Sequence, residues 1–151
     1  MIIPTKISHQ KDLRKGRVSQ KNQIYHVTFT TINRDKIFTD FEKARTVINI
    51  IKQSDQLQHT STLAFVIMPD HIHWLMQLAG SQTLSGVVKM VKSKVTVKLG
   101  QPAWQTGYYD HALRKDEDIQ NIARYIVANP IRAGLVSKVG DYPHWDAVWV
   151  L

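Results

Sequence analysis

The stretch Leu63-Ala64-Phe65-Val66-Ile67-Met68-Pro69-Asp70-His71-Ile72-His73-Trp74-Leu75-Met76-Gln77-Leu78 decides how the chain folds. Leu63 to Met68 is an apolar run without alternation, the pattern of a strand buried on both faces. Pro69-Asp70 marks a tight turn, and His71 to Leu78 predicts a second strand, so the two form a hairpin. On that second strand Ile72, Trp74 and Met76 share one face, and His71 and His73 share the other. The apolar side is the core side, which puts the histidines on the opposite face unless helices cover both.

Upstream of the hairpin, Ile24 to Ile32 alternates Tyr25, Val27 and Phe29 with His26, Thr28 and Thr30, the signature of a half-buried strand. After Asn33-Arg34-Asp35 a helix starts at a Thr39 or Asp40 cap, sets Phe41, Ala44, Ile48 and Ile51 on one face, and stops near Asp55. Downstream, a helix from about Thr83 to Leu99 buries Leu84, Val87, Val88, Val91 and Val95 and ends at Gly100-Gln101-Pro102. Tyr108 to Leu113 reads as a short edge strand. A third helix runs from Asp116 to about Ala128 on Ile119, Ile122, Ala123, Ile126 and Val127, and Pro130 closes it. This order predicts an α+β fold: a ferredoxin-like or RRM-like antiparallel sheet with helices packed on one face. Residues 1–22 are polar and without periodicity and predict a flexible basic arm, leaving 23–151 as one domain.

Composition narrows the function. With no cysteine among 151 residues, disulfides, thiolate nucleophiles and cysteine-held metals are excluded, so any metal rests on histidine, amide or carboxylate. No apolar stretch is long enough for a membrane span and no signal core opens the chain, so a cytoplasmic protein without a membrane partner is expected. Lysine and arginine number 20 against 12 acids, a formal charge of +8. No acid falls between Asp70 and Asp110, where Lys89, Lys92, Lys94 and Lys98 lie, and Arg14, Lys15 and Arg17 crowd the arm. Such a surface attracts a polyanion, and nucleic acid is the commonest.

His71 and His73 lie two apart on a strand, about 6.5 to 7 Å between Cα atoms. Two imidazoles so placed are either hydrogen-bonded surface groups or a pair converging on one metal. On the third helix Asp118, Tyr125, Asn129 and Arg132 fall within a sector of roughly 60° along the rim of the apolar stripe, and Tyr125 and Asn129 are one turn apart. By periodicity alone Tyr125 is a tyrosine at a core boundary, and Asn129-Pro130 a helix stop.

These residues form an ordered set with a family resemblance. Met68-Pro69-Asp70-His71-Ile72-His73-Trp74-Leu75, then Gly107-Tyr108-Tyr109-Asp110-His111-Ala112-Leu113-Arg114, then Asp118 and Arg124-Tyr125-Ile126-Val127-Ala128-Asn129-Pro130-Ile131-Arg132-Ala133-Gly134-Leu135-Val136 resemble the REP-associated tyrosine transposases of the HUH superfamily of single-strand nucleases. The resemblance runs from about Tyr25 to Trp145. It implies a metal-dependent endonuclease and strand transferase that acts on single-stranded DNA beside a hairpin of repetitive extragenic palindromes in a bacterial cell. In it Tyr125 is the nucleophile, forming a 5′-phosphotyrosine, and His71, His73 and Asn129 hold a divalent ion, Mg²⁺ or Mn²⁺.

Chemistry agrees with those residue types. An ordinary phenol is only about 0.1% ionised at neutral pH, so a tyrosine nucleophile needs help at the phosphate. A phosphotyrosine keeps the energy of the phosphodiester, so rejoining needs no nucleotide cofactor. The candidate DNA-binding residues are Arg14, Lys15, Arg17, Asn33, Arg34, Lys89, Lys92, Lys98, Arg114 and Arg132, with Trp104, Tyr108 and Tyr109 as candidate stacking aromatics; Tyr108 and Tyr109 are also rival nucleophiles. A monomer and a dimer are both compatible with the resemblance. Two other readings compete: an RRM-like binding module without chemistry, and a histidine-metal hydrolase of small molecules.

Overall fold

The computed structural model describes residues 22–148. The proposed arm, with Arg14, Lys15 and Arg17, therefore lies outside the described residues. Five antiparallel strands, β1 (Ile24–Thr30), β2 (Thr60–Ile67), β3 (His71–Leu78), β4 (Tyr109–Ala112) and β5 (Trp145–Ala147), form one sheet in the order β4-β1-β3-β2-β5. Helix α1 (Phe41–Gln56) joins β1 to β2, and α2 (Leu84–Leu99) joins β3 to β4. The first four strands and these helices make the ferredoxin-like split βαβ unit, as expected.

Local chemistry sets the element ends. The Asp40 carboxylate accepts from Lys43 N–H at the start of α1, and the Thr83 hydroxyl from Gly86 N–H at the start of α2. Gly100 closes α2 at φ 68°, a left-handed cap that glycine takes without a Cβ clash. The predicted stripe Leu84, Val87, Val88, Val91 and Val95 is the buried face of α2. It packs with Ala44, Val47, Ile48 and Ile51 of α1 against Tyr25, Val27, Phe29, Ile72, Trp74, Met76 and Leu78 of the sheet. Phe41 departs from the expected α1 face: it is 54% exposed, with its ring 5.1 Å from that of His144.

The third helix, α3 (Ile119–Val127), does not join that layer. Ile122, Ala123 and Ile126 pack with Ala64, Val66, Met68 and Leu75 on the opposite face, so helices cover both sides of the sheet and not one. The strand pattern explains why. A register shift between Thr62 and Ala64 turns Ala64 and Val66 toward the face of Leu75, and this second apolar patch has to be buried. Strand β5, which sequence periodicity does not reveal, extends the sheet beyond β2. Its approach is anchored by the Tyr142 hydroxyl, which donates to Ile67 O at 2.6 Å. Burial pushes that phenol up to about 12, so it stays a donor at any physiological pH.

Candidate active site on the histidine face

The face that α3 covers is the one bearing His71 and His73, and α3 carries Tyr125. Leu75, two residues along β3 from His73, packs in the same cluster as Ile122, Ala123 and Ile126. Tyr125 is 41% exposed at the rim of this contact. The Arg132 guanidinium lies 3.7 Å from the Tyr125 ring centre and donates to Tyr125 O at 2.6 Å. That tie crosses a break at Ala128, after which the chain resumes as the short helix α4 (Asn129–Arg132). Asn129 therefore sits at the start of a new turn, and its Nδ2 donates back to Ile126 O at 3.0 Å. This bond ends α3 and fixes the amide, whose oxygen is the atom a cation would use.

On β3 the two imidazole rings stand edge to face with centres 5.0 Å apart. His71 Nδ1–H donates to Asp70 Oδ1 at 2.7 Å, and Asp70 Oδ2 is held by Arg34 Nε at 3.0 Å. Burial alone would raise the Asp70 pKa, but the hydrogen bonds and charges of His71 and Arg34 outweigh it and hold the carboxyl below its ordinary value. A carboxylate behind a histidine leaves Nε2 as the lone-pair nitrogen, the usual arrangement behind a metal-ligating imidazole. His73 Nδ1 lies 3.0 Å from His26 Nε2 and 3.1 Å from the Thr28 hydroxyl, on the neighbouring strand β1. Burial holds His73 well below its ordinary pKa, with smaller contributions from His26, His71 and Arg132. The last of these places the Arg132 charge within electrostatic reach of the histidine, which links α4 to the site.

A metal about 2.1 Å from a ring nitrogen lies about 3.2 Å from that ring's centre, so two imidazoles bound at 90° to 109° have centres roughly 4.5 to 5.2 Å apart. The observed 5.0 Å fits. Among the described residues no cluster of three His, Cys, Asp or Glu is assembled. A divalent ion here would thus rest on His71 and His73, with amide or non-protein oxygens completing its shell.

The other candidates separate by location. Asn33 and Arg34 occupy consecutive left-handed positions, φ 53° and 56°, in a loop beside the β2–β3 turn. Thr31 N–H donates to Asp70 O at 3.0 Å, tying that loop to the histidine strand. Arg114 is exposed between β4 and α3, near Asp116 and Glu117. Lys89 and Lys98 are exposed on α2, behind the sheet and away from the histidines, and Lys98 lines a groove of about 540 Å³ between α1 and α2. Lys92 Nζ donates to Gln105 O at 3.0 Å and Gly107 O at 2.9 Å, pinning the loop before β4. Trp104 packs its ring on Phe29 and Phe38, and Tyr108 is buried with its hydroxyl 3.0 Å from Ser85 Oγ, so both serve the core. Tyr109 pairs with Thr28, which pairs with His73, and so faces the same side as the site.

One residue was missed. His26 has the alternation of a solvent-facing strand position, yet it is 1% exposed. Burial, and secondarily the His111 charge, lower its pKa to about 4. The unfolded imidazole titrates near 6.5, so above that pH neither state carries the charge and nothing is gained or lost. Below it the unfolded chain takes up protons that folded His26 and His73 refuse, so stability is expected to fall as the pH drops from 6.5 toward 4. For His26 alone the loss across that window is about 3 kcal/mol. Urea unfolding at pH 7.5 and 4.5 measures it, and equal stabilities would contradict the burial of neutral histidines.

Fold and face together define an α+β domain in which the helix that carries Tyr125 covers the sheet face that bears two strand histidines. The family model described as IS200-like transposase matches residues 19–129, and the chain belongs to that family. Within it the chain resembles the REP-associated tyrosine transposases. It is 27% identical over 154 residues to a Haemophilus influenzae protein assigned as one, covering 91% of this chain and 83% of that protein. It is 32% identical over 82 residues to the Escherichia coli REP-associated tyrosine transposase, covering 53% of this chain and 50% of the relative. The structure of a REP-associated tyrosine transposase bound to a REP hairpin superposes with a TM-score of 0.75 at 24% identity, over 85% of this chain and 79% of that one. A Deinococcus radiodurans protein assigned as a transposase gives 0.54 at 22% identity, over 74% and 93%. Among the described residues no helix is long and apolar enough to cross a membrane.

Proposed function

We propose that this transposase nicks and rejoins single-stranded DNA beside a hairpin of the repetitive extragenic palindrome kind, using Tyr125 as its nucleophile. The observation that carries the reading is the layer on the histidine face: α3, which carries Tyr125, packs on the side of the sheet that holds His71 and His73, and Arg132 of α4 stacks on the Tyr125 ring. The Tyr125 oxygen forms a bond to phosphorus as the bond to the departing 3′ oxygen breaks. The phenol gives up one proton and the 3′ oxygen gains one, so one phosphodiester replaces another and the step runs in either direction. A bound divalent ion, Mg²⁺ or Mn²⁺, supplies polarisation of the phosphate and offsets charge on its non-bridging oxygens. His71, His73 and the Asn129 oxygen are the protein groups that would hold it.

Arg132 has a double task in this reading. It keeps the Tyr125 ring in place by stacking and by its bond to Tyr125 O, and its charge, felt at His73, draws the phosphate in between. Arg132→Ala is expected to slow cleavage about 10- to 100-fold. Arg132→Lys, which keeps the charge but loses the planar stack, should recover only part of that loss in single-turnover assays. Asn33, Arg34 and Arg114 are the residues that would contact DNA flanking the cut, and Arg34 is tied to the histidine strand through Asp70. A relative of this fold bound to a REP hairpin supports the choice of substrate. The test is to incubate the protein with labelled hairpin DNA and Mg²⁺ or Mn²⁺ and to look for a covalent adduct on a denaturing gel. An adduct that chelation abolishes is expected; hairpin binding without cleavage under any divalent ion would leave a binding module instead.

A further inference from the structure

The two histidines of the site are not backed alike. His71 is backed by a carboxylate, which settles its tautomer, whereas His73 is backed by another imidazole. Two neutral rings joined nitrogen to nitrogen at 3.0 Å share one proton. Either His26 Nε2–H donates to His73 Nδ1, or His73 Nδ1–H donates to His26 Nε2. In the first arrangement His73 carries its proton on Nε2 and presents no lone pair for a cation. In the second it presents that lone pair, but His26 must then carry its own proton on Nδ1.

That nitrogen decides the balance, because His26 Nδ1 is buried and has no hydrogen-bond partner among the described residues. A buried N–H without an acceptor is costlier and rarer than a buried nitrogen lone pair without a donor. The resting chain therefore favours His26 Nε2–H donating to His73 Nδ1. The Thr28 hydroxyl, 3.1 Å from His73 Nδ1, does not oppose this, since a hydroxyl can donate or accept.

We propose that His26 is a positioning residue that gates the site: it holds His73 in the tautomer that cannot ligate, and a divalent ion binds only as both rings exchange their N–H positions together. No proton is gained or lost by the pair in the exchange; each ring moves one N–H from Nε2 to Nδ1. The inference rests on the proposed divalent-ion site and adds to it a reason for weak binding in the absence of DNA. An ion that also gains phosphate oxygens from the substrate would meet the cost that the protein ligands alone do not.

Nitrogen-detected NMR of the histidine rings, with and without Zn²⁺ as a diamagnetic probe, tests it on the wild-type chain. Without metal, His26 and His73 should both be protonated on Nε2, and Zn²⁺ should move both protons to Nδ1. In parallel, His26→Leu removes the donor and leaves Thr28 to accept from His73 Nδ1–H. It should bind Mn²⁺, followed by its electron spin resonance signal, roughly tenfold more tightly than the wild type. Finding His73 already protonated on Nδ1 in the metal-free chain overturns the gate while leaving the ion site standing, as does Mn²⁺ binding to a folded His26→Leu no tighter than to the wild type. Zn²⁺ that shifts no ring overturns the ion site and the gate together.

Discussion

Tyr125→Phe is expected to abolish the covalent protein–DNA adduct, with a loss of about 10³-fold or more in cleavage, about 4 kcal/mol in the barrier. The structure makes this a clean substitution. Tyr125 is 41% exposed at the edge of α3, so removing one hydroxyl opens no cavity and orphans no buried partner. The ring face on which Arg132 stacks is kept, and the Arg132 bond goes to the backbone oxygen of residue 125, which is unchanged. Stability should shift by less than about 0.5 kcal/mol and hairpin affinity by less than about twofold. Thermal unfolding and a gel-shift titration measure these beside the denaturing-gel assay. An adduct that persists in this variant would point to Tyr109, which lies on the same sheet face two strands from His73 and is the rival the structure leaves in play. Tyr108, buried against Ser85, is not.

Much of this architecture is legible in the residues, and what is not has physical reasons. β3 and the α2 stripe follow from alternation and from helical spacing, which local sequence encodes directly. Periodicity says that a helix has an apolar face, but not which side of a sheet it meets. α3 was therefore expected beside α1 and α2, although the unbroken apolar run of β2 already required cover on both sides. The same ambiguity hid the position of the α2 lysines behind the sheet. Strand β5 is three residues long and owes its place to pairing with β2, a long-range contact that its own sequence does not announce. His26 reads as solvent-facing because its strand alternates, yet its burial depends on neighbours from other strands, His73 and His111 among them. Within the candidate site, His71, His73 and Tyr125 were singled out by the ordered family resemblance and not by periodicity; the Asp70–Arg34 and His26 contacts behind them join residues far apart in the chain, which no local pattern announces.

The second large effect concerns the histidine pair. His71→Ala is expected to weaken Mn²⁺ binding and metal-dependent cleavage about 10²- to 10³-fold, because two imidazoles are the core of the proposed protein ligand set and one alone leaves a weak site. The double variant with His73→Ala should lose little more, since ligands of one ion act as a unit and their losses do not add. The two single variants should nonetheless differ in stability. His71 is half-buried, and its removal leaves Asp70 still paired with Arg34, so the fold should lose less than about 1 kcal/mol. His73→Ala strips the buried His26 of its partner and should cost about 1 to 3 kcal/mol. Comparing Mn²⁺ titrations with urea unfolding for both variants therefore separates lost ligation from lost structure. Cleavage by folded His71→Ala at the wild-type rate would mean that the ion is held elsewhere, and that these histidines only brace the sheet face that α3 covers.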